Sequence, residues 1–229
     1  MDGEYSLPAK IRLARTALRP GFRLIFRALS RVIITGDENV PRSGAYLVAL
    51  NHVSLYEAPL VCAFWPVPLE AMGAAEIWDR PGQGTLARLY GGIPVHRGQY
   101  DRRLLDTALT VLRSGYPLVL APEGERSHTP GMQPAHTGIA YLIEKAQVPV
   151  IPVGIVGSTE DFLERALNRE RPTIEMHIGK PLIFPPNEMR GAKRRDFRQQ
   201  TTDRVMQEIA ALLPPEYRGV YALYDDNHG

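Results

Sequence analysis

The most informative part of the sequence is Ala45–Leu50 (AYLVAL), followed directly by Asn51–Glu57 (NHVSLYE). The six-residue apolar run has the length and composition of a buried β-strand. The segment Leu55–Phe64 that follows it has the pattern of a helix. A strand that passes through a short polar loop into a helix is typical of α/β proteins, whose functional loops lie at strand ends.

Further along the chain the same alternation of strand and helix recurs, and it predicts an α/β fold. The predicted strands are Val32–Thr35, Ala45–Leu50, Leu69–Gly73, Ile93–Val95, Pro117–Ala121, Val148–Val156 and Thr173–Ile178. The predicted helices after the first 31 residues are Leu55–Phe64, Gly84–Tyr90, Asp101–Ser114, Ala135–Gln147 and Lys193–Leu213.

The composition is that of a globular protein that can bury a full core: 229 residues, 44% hydrophobic and 23% charged. The single cysteine, Cys62, excludes an internal disulfide and a cysteine-based metal cage, and its apolar neighbours predict a core position. The six histidines show no paired ligand spacing, so no metal is expected. Met1–Pro8 lacks the apolar segment of a secretory signal, and no window of about 20 residues is free of charge, so no membrane-spanning helix is expected.

The first 31 residues form a basic amphipathic segment. Between Lys10 and Arg31 there are seven cations and no acid, and arginine recurs every four residues from Arg15 to Arg31. On a helix this spacing gives a slanting basic stripe, with apolar side chains on much of the remaining surface. We interpret residues 1–31 as a membrane-association segment whose arginines face lipid phosphates. A soluble helix packed on the domain is the alternative, and Pro20-Gly21 is expected to kink or divide the helix.

Nucleic acid is not an expected partner. The net charge is only +2, the basic stripe is isolated, and no recognised nucleic-acid-binding motif is present.

His52 and Glu57 form a candidate pair of base and orienting carboxylate at the junction of the first strand and helix. The imidazole accepts a proton from an attacking hydroxyl, while the carboxylate fixes the tautomer and stabilises the imidazolium. Five residues correspond to roughly 140° on a helix, so the two side chains meet only if His52 lies in the preceding loop. The alternative interpretation is structural, because Ser54–Glu57 also has the pattern of a capping box.

Three further motifs follow in order: Gly91–Arg97 (GGIPVHR), Ala121–Ser127 (APEGERS) and Val148–Val153 (VPVIPV). Arg97 and Arg126 each lie beside glycines or a turn, and two guanidinium groups that converge on one site clamp a phosphate. Within Ala121–Ser127, the third of the four motifs, Gly124 allows close backbone approach to such a ligand, and Glu123 positions Arg126 or a substrate hydroxyl. For each arginine the alternative is a surface ion pair.

In order and spacing, these four motifs resemble those of the 1-acylglycerol-3-phosphate acyltransferase family, which belongs to the membrane glycerolipid acyltransferases. The resemblance covers roughly Val32 to Leu213. It implies a single acyltransferase domain over residues 32–229, with a mixed, largely parallel sheet flanked by helices and preceded by the basic N-terminal helix.

For the site, the resemblance implies that His52 is the general base and that Glu57 occupies the position of the usual Asp. The chain departs from the family pattern at two further positions, with Ala121 in place of the usual Phe and Glu125 in place of the usual Thr. Glu125 adds negative charge beside the phosphate site, and it therefore bears on the identity of the acceptor headgroup.

The resemblance also assigns six further residues. Arg97 and Arg126 match the arginines that bind the phosphate of the acceptor. Glu123 and Gly124 match the Glu-Gly pair that shapes the acceptor site. The dipeptide Ile151-Pro152 matches the motif associated with the acyl-donor pocket, so Ile151 and Pro152 are expected near the donor.

The implied activity is acyl transfer from a thioester of coenzyme A or acyl carrier protein to the free hydroxyl of a lysophospholipid. The most direct acceptor is 1-acylglycerol-3-phosphate, which yields phosphatidic acid. No cofactor is implied beyond the acyl donor, and the enzyme is expected at the cytoplasmic face of a membrane as a peripheral or monotopic protein. A thioester or ester hydrolase and a non-catalytic lipid-binding module are the alternatives. Without a Gly-x-Ser-x-Gly elbow, direct transfer is favoured over an acyl-enzyme.

Overall fold

Seven strands and seven α-helices alternate along residues 4–96 and 102–224, which the computed structural model describes. The strands are β1 (Arg31–Thr35), β2 (Leu47–Leu50), β3 (Glu70–Ala74), β4 (Ile93–Val95), β5 (Leu118–Leu120), β6 (Val150–Val156) and β7 (Thr173–Ile178). The helices are α1 (Ala9–Leu29), α2 (Glu57–Phe64), α3 (Gln83–Tyr90), α4 (Arg102–Arg113), α5 (Gly138–Ala146), α6 (Phe162–Leu167) and α7 (Gly191–Ala211). Short 3-10 helices lie between some of them.

All seven strands belong to one sheet in the order β1-β7-β6-β2-β5-β3-β4. The five strands from β6 to β4 in that order are parallel. Strand β7 is antiparallel to β6, and β1 is parallel to β7. The prediction of an α/β fold with a mixed, largely parallel sheet is therefore confirmed.

Strand β2 occupies the middle of the sheet, between β5 and β6. Leu47, Val48 and Ala49 are fully buried, since helices cover both faces of the sheet. Because β2, β5 and β6 are parallel, their carboxyl ends meet at one edge. The loops that begin at Asn51, Ala121 and Gly157 all start from that edge, and this arrangement brings distant parts of the sequence together.

Two apolar cores lie on opposite faces of this sheet. Leu47 and Ala49 belong to the core that contains residues of α4, α5 and α7. Val48 and Leu50 belong to the other core, with residues of α1 and α2. Successive strand residues point to opposite faces, so one short apolar strand contributes to both cores.

The predicted strands are all present, although the bounds of several elements differ and one short α-helix was not predicted. Helix α2 begins at Glu57 rather than Leu55, because residues 54–56 form a bend in which the Tyr56 amide donates to Ser54 Oγ (3.1 Å). Helix α6 was not predicted, since six residues are too few to show a clear helical period.

We expected Pro20-Gly21 to kink or divide the N-terminal helix. The division is wrong, because α1 is one continuous helix from Ala9 to Leu29, and the kink stays a prediction. Pro20 removes one helical hydrogen bond, whose acceptor is the carbonyl of Thr16. Both residues are exposed, so water can satisfy that carbonyl. The cost of the proline is therefore small enough for the helix to continue.

Of the arginine stripe, three members face the protein rather than lipid phosphates, and for these the sequence interpretation is wrong. Arg15 is only 2% exposed and pairs with the buried Glu70 through two hydrogen bonds of 2.7 and 2.8 Å. Arg19 and Arg23 bind main-chain carbonyls of the following helix. The large side chains that α1 exposes are instead apolar, with Leu13 73% and Leu24 71% exposed.

The contacts of Arg19 and Arg23 supply hydrogen-bond donors to the carbonyls at the C-terminal end of α2. Arg19 Nε donates to the Cys62 carbonyl (3.0 Å) and a second nitrogen of Arg19 donates to the Trp65 carbonyl, while Arg23 Nε donates to the Ala63 carbonyl. Carbonyls at the end of a helix have no intrahelical partner, and positive charge there is favoured by the helix dipole. Helix α1 therefore stabilises the helix whose first residue is Glu57.

Cys62 is buried in the core that contains residues of α1 and α2, and this confirms the core position expected for it.

Among the described residues, no helix combines the length and the apolar character needed to cross a bilayer.

We expect Arg15→Ala to lower the free energy of unfolding by about 3–5 kcal/mol, because it leaves the Glu70 carboxylate buried without its cation. Urea unfolding followed by circular dichroism measures this change. The double variant Arg15→Met/Glu70→Leu should recover most of the loss, since it removes both charges. Arg195→Ala, at an exposed position of α7, is the control. An Arg15→Ala protein as stable as that control would contradict a stabilising role for the pair.

Candidate active site

The candidate site begins where β2 ends, at Asn51. The Asn51 side chain is fully buried and bonds both main-chain groups of Ile155 in β6. Its Nδ2 donates to the Ile155 carbonyl (3.0 Å), and its Oδ1 accepts from the Ile155 amide (2.7 Å). The side chain thus extends the pairing of β2 and β6 by one residue and fixes the start of the next loop.

The main chain of His52 is held on both sides. Its amide donates to Glu123 Oε1 (2.8 Å), and its carbonyl accepts from the Ser127 amide (2.8 Å). Glu123 and Ser127 belong to the loop that follows β5. The first and third sequence motifs are therefore joined through main-chain contacts, and the position of the imidazole is set by two neighbouring strands.

The imidazole of His52 and the carboxylate of Glu57 meet as the sequence predicts, with His52 Nδ1 2.8 Å from Glu57 Oε2. The Glu57 side chain is fully buried. Its carboxylate also accepts from the Ser54 amide (2.8 Å), from Ser54 Oγ (3.2 Å) and from the Ser158 hydroxyl. One of the two contacts of a capping box, from the Ser54 amide to Glu57, is thus present together with the base-and-orienter pair, because one carboxylate takes part in each. The other contact is not, because Ser54 Oγ accepts from the Tyr56 amide.

This arrangement leaves the second nitrogen of the ring available. The Nδ1–H group of His52 donates to Glu57, so the lone pair of the neutral ring lies on Nε2. That nitrogen has no hydrogen-bond partner among residues 4–96 and 102–224, and the side chain is 20% exposed. The geometry suits a base that receives a proton from a bound hydroxyl group. Over the same residues, no group of three His, Cys, Asp or Glu side chains is placed to hold a metal ion.

Glu123 supports the main chain rather than Arg126. Its buried carboxylate accepts from the amides of His52 (2.8 Å) and Gln133 (2.7 Å). Burial raises the pKa of this carboxyl from 4.5 to about 7, although both amide bonds favour the ionised form. The expectation that Glu123 positions Arg126 is therefore wrong, and its contact with a substrate hydroxyl stays a prediction.

Gly124 follows in a turn that requires glycine. Its φ angle is +76°, and a Cβ atom at this position would lie 2.8 Å from the ring of His136. Both the backbone conformation and the neighbouring ring therefore exclude a side chain here. The predicted approach of a ligand to this backbone stays a prediction.

Arg126 is placed beside an acidic residue that the sequence analysis did not consider. Arg126 Nη1 lies 3.8 Å from Glu160 Oε1, and the Arg126 side chain is 21% exposed. Glu160 also contacts the ring of His128. Glu125, which the sequence analysis considered instead, is exposed to solvent. Arg97 lies outside the described residues, so its convergence with Arg126 stays a prediction.

Ile151 and Pro152 lie within β6, where they pair with Val48 and Ala49 of β2. Both are buried in the sheet. At about 3.3 Å per residue, Ile151 lies roughly 13 Å along the strand from Ile155, to which Asn51 binds. These two residues shape the sheet below the site, and their association with an acyl donor stays a prediction.

An apolar cavity of about 340 Å³ lies between α1, α2 and α3. Tyr56, which precedes Glu57, lines it together with apolar side chains of the three helices, and the Tyr56 ring lies 5.1 Å from that of Phe162. Ile151 and Pro152 are not among the described residues that line it. The cavity therefore offers an apolar space that reaches Tyr56, the residue before Glu57. In the sequence, this cavity was indicated only by the apolar residues of α1, and we interpreted that helix as a membrane-association segment.

Sequence reasoning also missed Ser158. Its buried hydroxyl donates to Glu57 across a separation of 101 residues. Apart from its place directly after the apolar run of β6, nothing in the sequence indicated this contact.

The raised pKa of Glu123 predicts a specific dependence of stability on pH. The folded protein holds this proton more tightly than the unfolded chain between pH 4.5 and about 7. The contribution of Glu123 to the free energy of unfolding is therefore fully present below this pH window. It falls by up to about 3 kcal/mol as the pH rises through the window. We expect Glu123→Gln, which cannot ionise, to lack this component.

Urea unfolding of the parent protein and Glu123→Gln at about pH 5 and about pH 8 measures the difference. The raised pKa of Glu123 would be contradicted if the difference in free energy of unfolding between the two proteins were the same at both pH values.

Comparison with known proteins agrees with this arrangement. The family model described as Acyltransferase matches residues 31–156, more than half of the chain. The chain is 32% identical over 199 residues to a lyso-ornithine lipid O-acyltransferase of Pseudomonas aeruginosa, a match that covers 80% of this chain and 74% of the relative. It is 27% identical over 189 residues to the 1-acyl-sn-glycerol-3-phosphate acyltransferase alpha of Ovis aries, of whose length it spans 63%.

Among solved structures, the 1-acyl-sn-glycerophosphate acyltransferase PlsC of Thermotoga maritima shares the fold, with a TM-score of 0.62 at 23% identity. The superposition covers 87% of this chain and 81% of that structure. The order of the motifs, the contact between His52 and Glu57, and these matches agree: the chain belongs to the acyltransferase family that includes the 1-acylglycerol-3-phosphate acyltransferases.

Proposed function

We propose that the protein transfers a fatty acyl group from an acyl thioester to the free hydroxyl of a lysophospholipid, with 1-acylglycerol-3-phosphate as the first candidate and phosphatidic acid as its product. The observation that carries this proposal is the His52–Glu57 contact, which leaves Nε2 without a partner among the described residues. Tyr56, which lines the apolar cavity, precedes Glu57, and Arg126 precedes Ser127, whose amide binds the His52 carbonyl. The acyl donor is a thioester of coenzyme A or acyl carrier protein, and no other cofactor is required.

In the proposed mechanism, His52 Nε2 takes the proton of the acceptor hydroxyl while its oxygen attacks the thioester carbonyl. A C–O bond forms, the C–S bond breaks, and the proton passes from the imidazolium to the leaving thiolate. Glu57 stabilises the imidazolium and keeps the ring in one orientation. General base catalysis of this kind contributes about 10²–10⁴-fold, and the positioning of the two reactants contributes further.

Arg126 is the proposed contact for the acceptor phosphate, together with Arg97 of the second motif. The Arg126 side chain is partly exposed, and its pairing with Glu160 is long at 3.8 Å, so a phosphate can displace that contact. The apolar cavity beside Tyr56 is the proposed compartment for an acyl chain.

A second candidate acceptor has an amine in its headgroup. Glu160 places a carboxylate beside Arg126, and such a pair matches a headgroup that carries both an anion and an ammonium ion. The relative from Pseudomonas aeruginosa is named for lyso-ornithine lipid, and ornithine has an amine. Under this alternative, His52 and Glu57 keep their roles and only the acceptor changes.

We further propose that the enzyme acts as a peripheral or monotopic protein at the cytoplasmic face of a membrane, with residues 1–31 as the association segment. The exposed leucines of α1, Leu13 and Leu24, lie roughly 20° apart around the helix, so they form one apolar face. This face replaces the arginine stripe as the proposed surface of contact with lipid.

We expect His52→Ala to lower the rate of transfer by about 10²–10⁴-fold while the protein keeps its fold, because the residue lies in a loop. The assay follows thiol release from an acyl thioester, with and without 1-acylglycerol-3-phosphate, and identifies the lipid product by mass spectrometry. His177→Ala, on β7, is the matched control and should retain activity.

Each other outcome of this assay identifies a different function. Thiol release that does not need an acceptor indicates a hydrolase. If the parent protein turns over no acceptor, and if His52→Ala binds liposomes as well as the parent does, the protein is a lipid-binding module. Full activity of His52→Ala would overturn its assignment as the base.

The charge of Glu160 separates the two acceptors. For a phosphate-bearing acceptor, we expect Glu160→Gln to lower KM, since it removes a carboxylate that competes for Arg126, and Arg126→Gln to raise KM about tenfold. For an amine-bearing acceptor, Glu160→Gln should instead raise KM. Glu164→Gln, at an exposed position on α6, is the control. Steady-state kinetics with both acceptors measures these constants, and no change of KM in either variant would contradict both assignments.

A further inference from the structure

A second cavity, of about 380 Å³, lies at the opposite edge of the sheet from His52. Residues that precede or begin β2, β3 and β5 line it, together with the first half of α1. The catalytic pair lies beyond the carboxyl end of β2, whereas this cavity lies at its amino end. The two sites are therefore separated by the length of the strand, roughly 13 Å or more.

The charge of this cavity is strongly positive. Four arginines and one carboxylate line it: Arg12, Arg15, Arg19, Arg42 and Glu70. Glu70 is already satisfied, because it accepts two hydrogen bonds from Arg15 and one of 2.7 Å from the Tyr5 hydroxyl. The remaining three arginines give the lining residues a net charge of +3, which favours a bound anion.

Two of these arginines have no acidic partner among the described residues. Arg12 and Arg42 are exposed and make no ion pair there, whereas Arg19 uses its nitrogens for the carbonyls at the end of α2. Carbonyl contacts satisfy hydrogen bonds but leave the positive charge in place. Three guanidinium groups around one cavity repel one another, and an anion between them removes that repulsion.

Neutral donors line the same cavity. Ser43 and Gly44 form the turn before β2, and neither of their amides donates a hydrogen bond to the described part of the chain. Gly44 has φ of +85°, and the space beside it is open. Successive free amides in such a turn, together with guanidinium groups, are the usual ligands of phosphate.

We propose that this cavity is a second anion site, which binds the phosphate group of a phosphate ester. The group comes either from a soluble phosphate ester or from the headgroup of a membrane lipid. Leu13, which follows Arg12 in α1, is 73% exposed, so the helix that lines the site also presents an apolar side chain for contact with lipid. Arg19 lines both this cavity and the apolar cavity, so a ligand here also stabilises the wall of the latter.

The test uses the double variant Arg12→Gln/Arg42→Gln, whose two positions are exposed and outside the proposed catalytic site. Lys193→Gln/Arg195→Gln, on the opposite face of the sheet, removes the same charge and is the control. Isothermal titration calorimetry with glycerol 3-phosphate at low ionic strength measures the soluble arm. Arg126→Gln is titrated in parallel, so that binding at the active site is counted separately.

Vesicle sedimentation measures the lipid arm, with phosphatidylcholine vesicles that contain phosphatidic acid. We expect the Arg12/Arg42 variant to lose about tenfold in affinity for the second equivalent of phosphate ester, while the control is unchanged. A loss in the calorimetric arm alone identifies a soluble ligand, and a loss of vesicle binding as well identifies a lipid headgroup. Equal binding by the variant and the control in both arms would overturn the proposal.

Discussion

The buried carboxylate of Glu57 is the contact on which the rest of the site depends. A charged group without water is stable only when donors surround it, and here these are the ring of His52, the amide and hydroxyl of Ser54, and the hydroxyl of Ser158. Three of the donors are local, but Ser158 comes from the loop after β6. The full set of donors to Glu57 is therefore assembled only when β2 and β6 lie side by side.

The length of Glu57 is consistent with this environment. In the resembling family an Asp is usual at this position, and Glu adds one methylene group. The longer side chain contacts His52 through Oε2 while Oε1 contacts Ser54 and Ser158. Ser54 and Ser158 thus accommodate the substitution of Glu for the usual Asp, because they hold the carboxylate of the longer side chain in place.

Local patterns predicted much of this molecule. The alternation of apolar runs and helical periods indicated the sheet, and the spacing of His52 and Glu57 indicated a loop followed by a first helical turn. What escaped prediction depends on the choice of distant partners. The pairs Arg15–Glu70, Glu57–Ser158 and Arg126–Glu160 join residues on separate elements, and nothing near either member shows which partner the fold selects. The arginine spacing of α1 was visible, but not the carbonyls that these arginines bind.

The packing of α1 has a consequence for how the molecule can be dissected. A chain shortened to begin at Arg31 would resemble a catalytic core freed from its membrane anchor. Yet it would lose one wall of the apolar cavity, and the carboxylate of Glu70 would stay buried without the arginine that pairs with it. The amino-terminal helix is therefore a structural part of the folded domain as well as its proposed surface of contact with lipid, and the two roles cannot be separated by truncation.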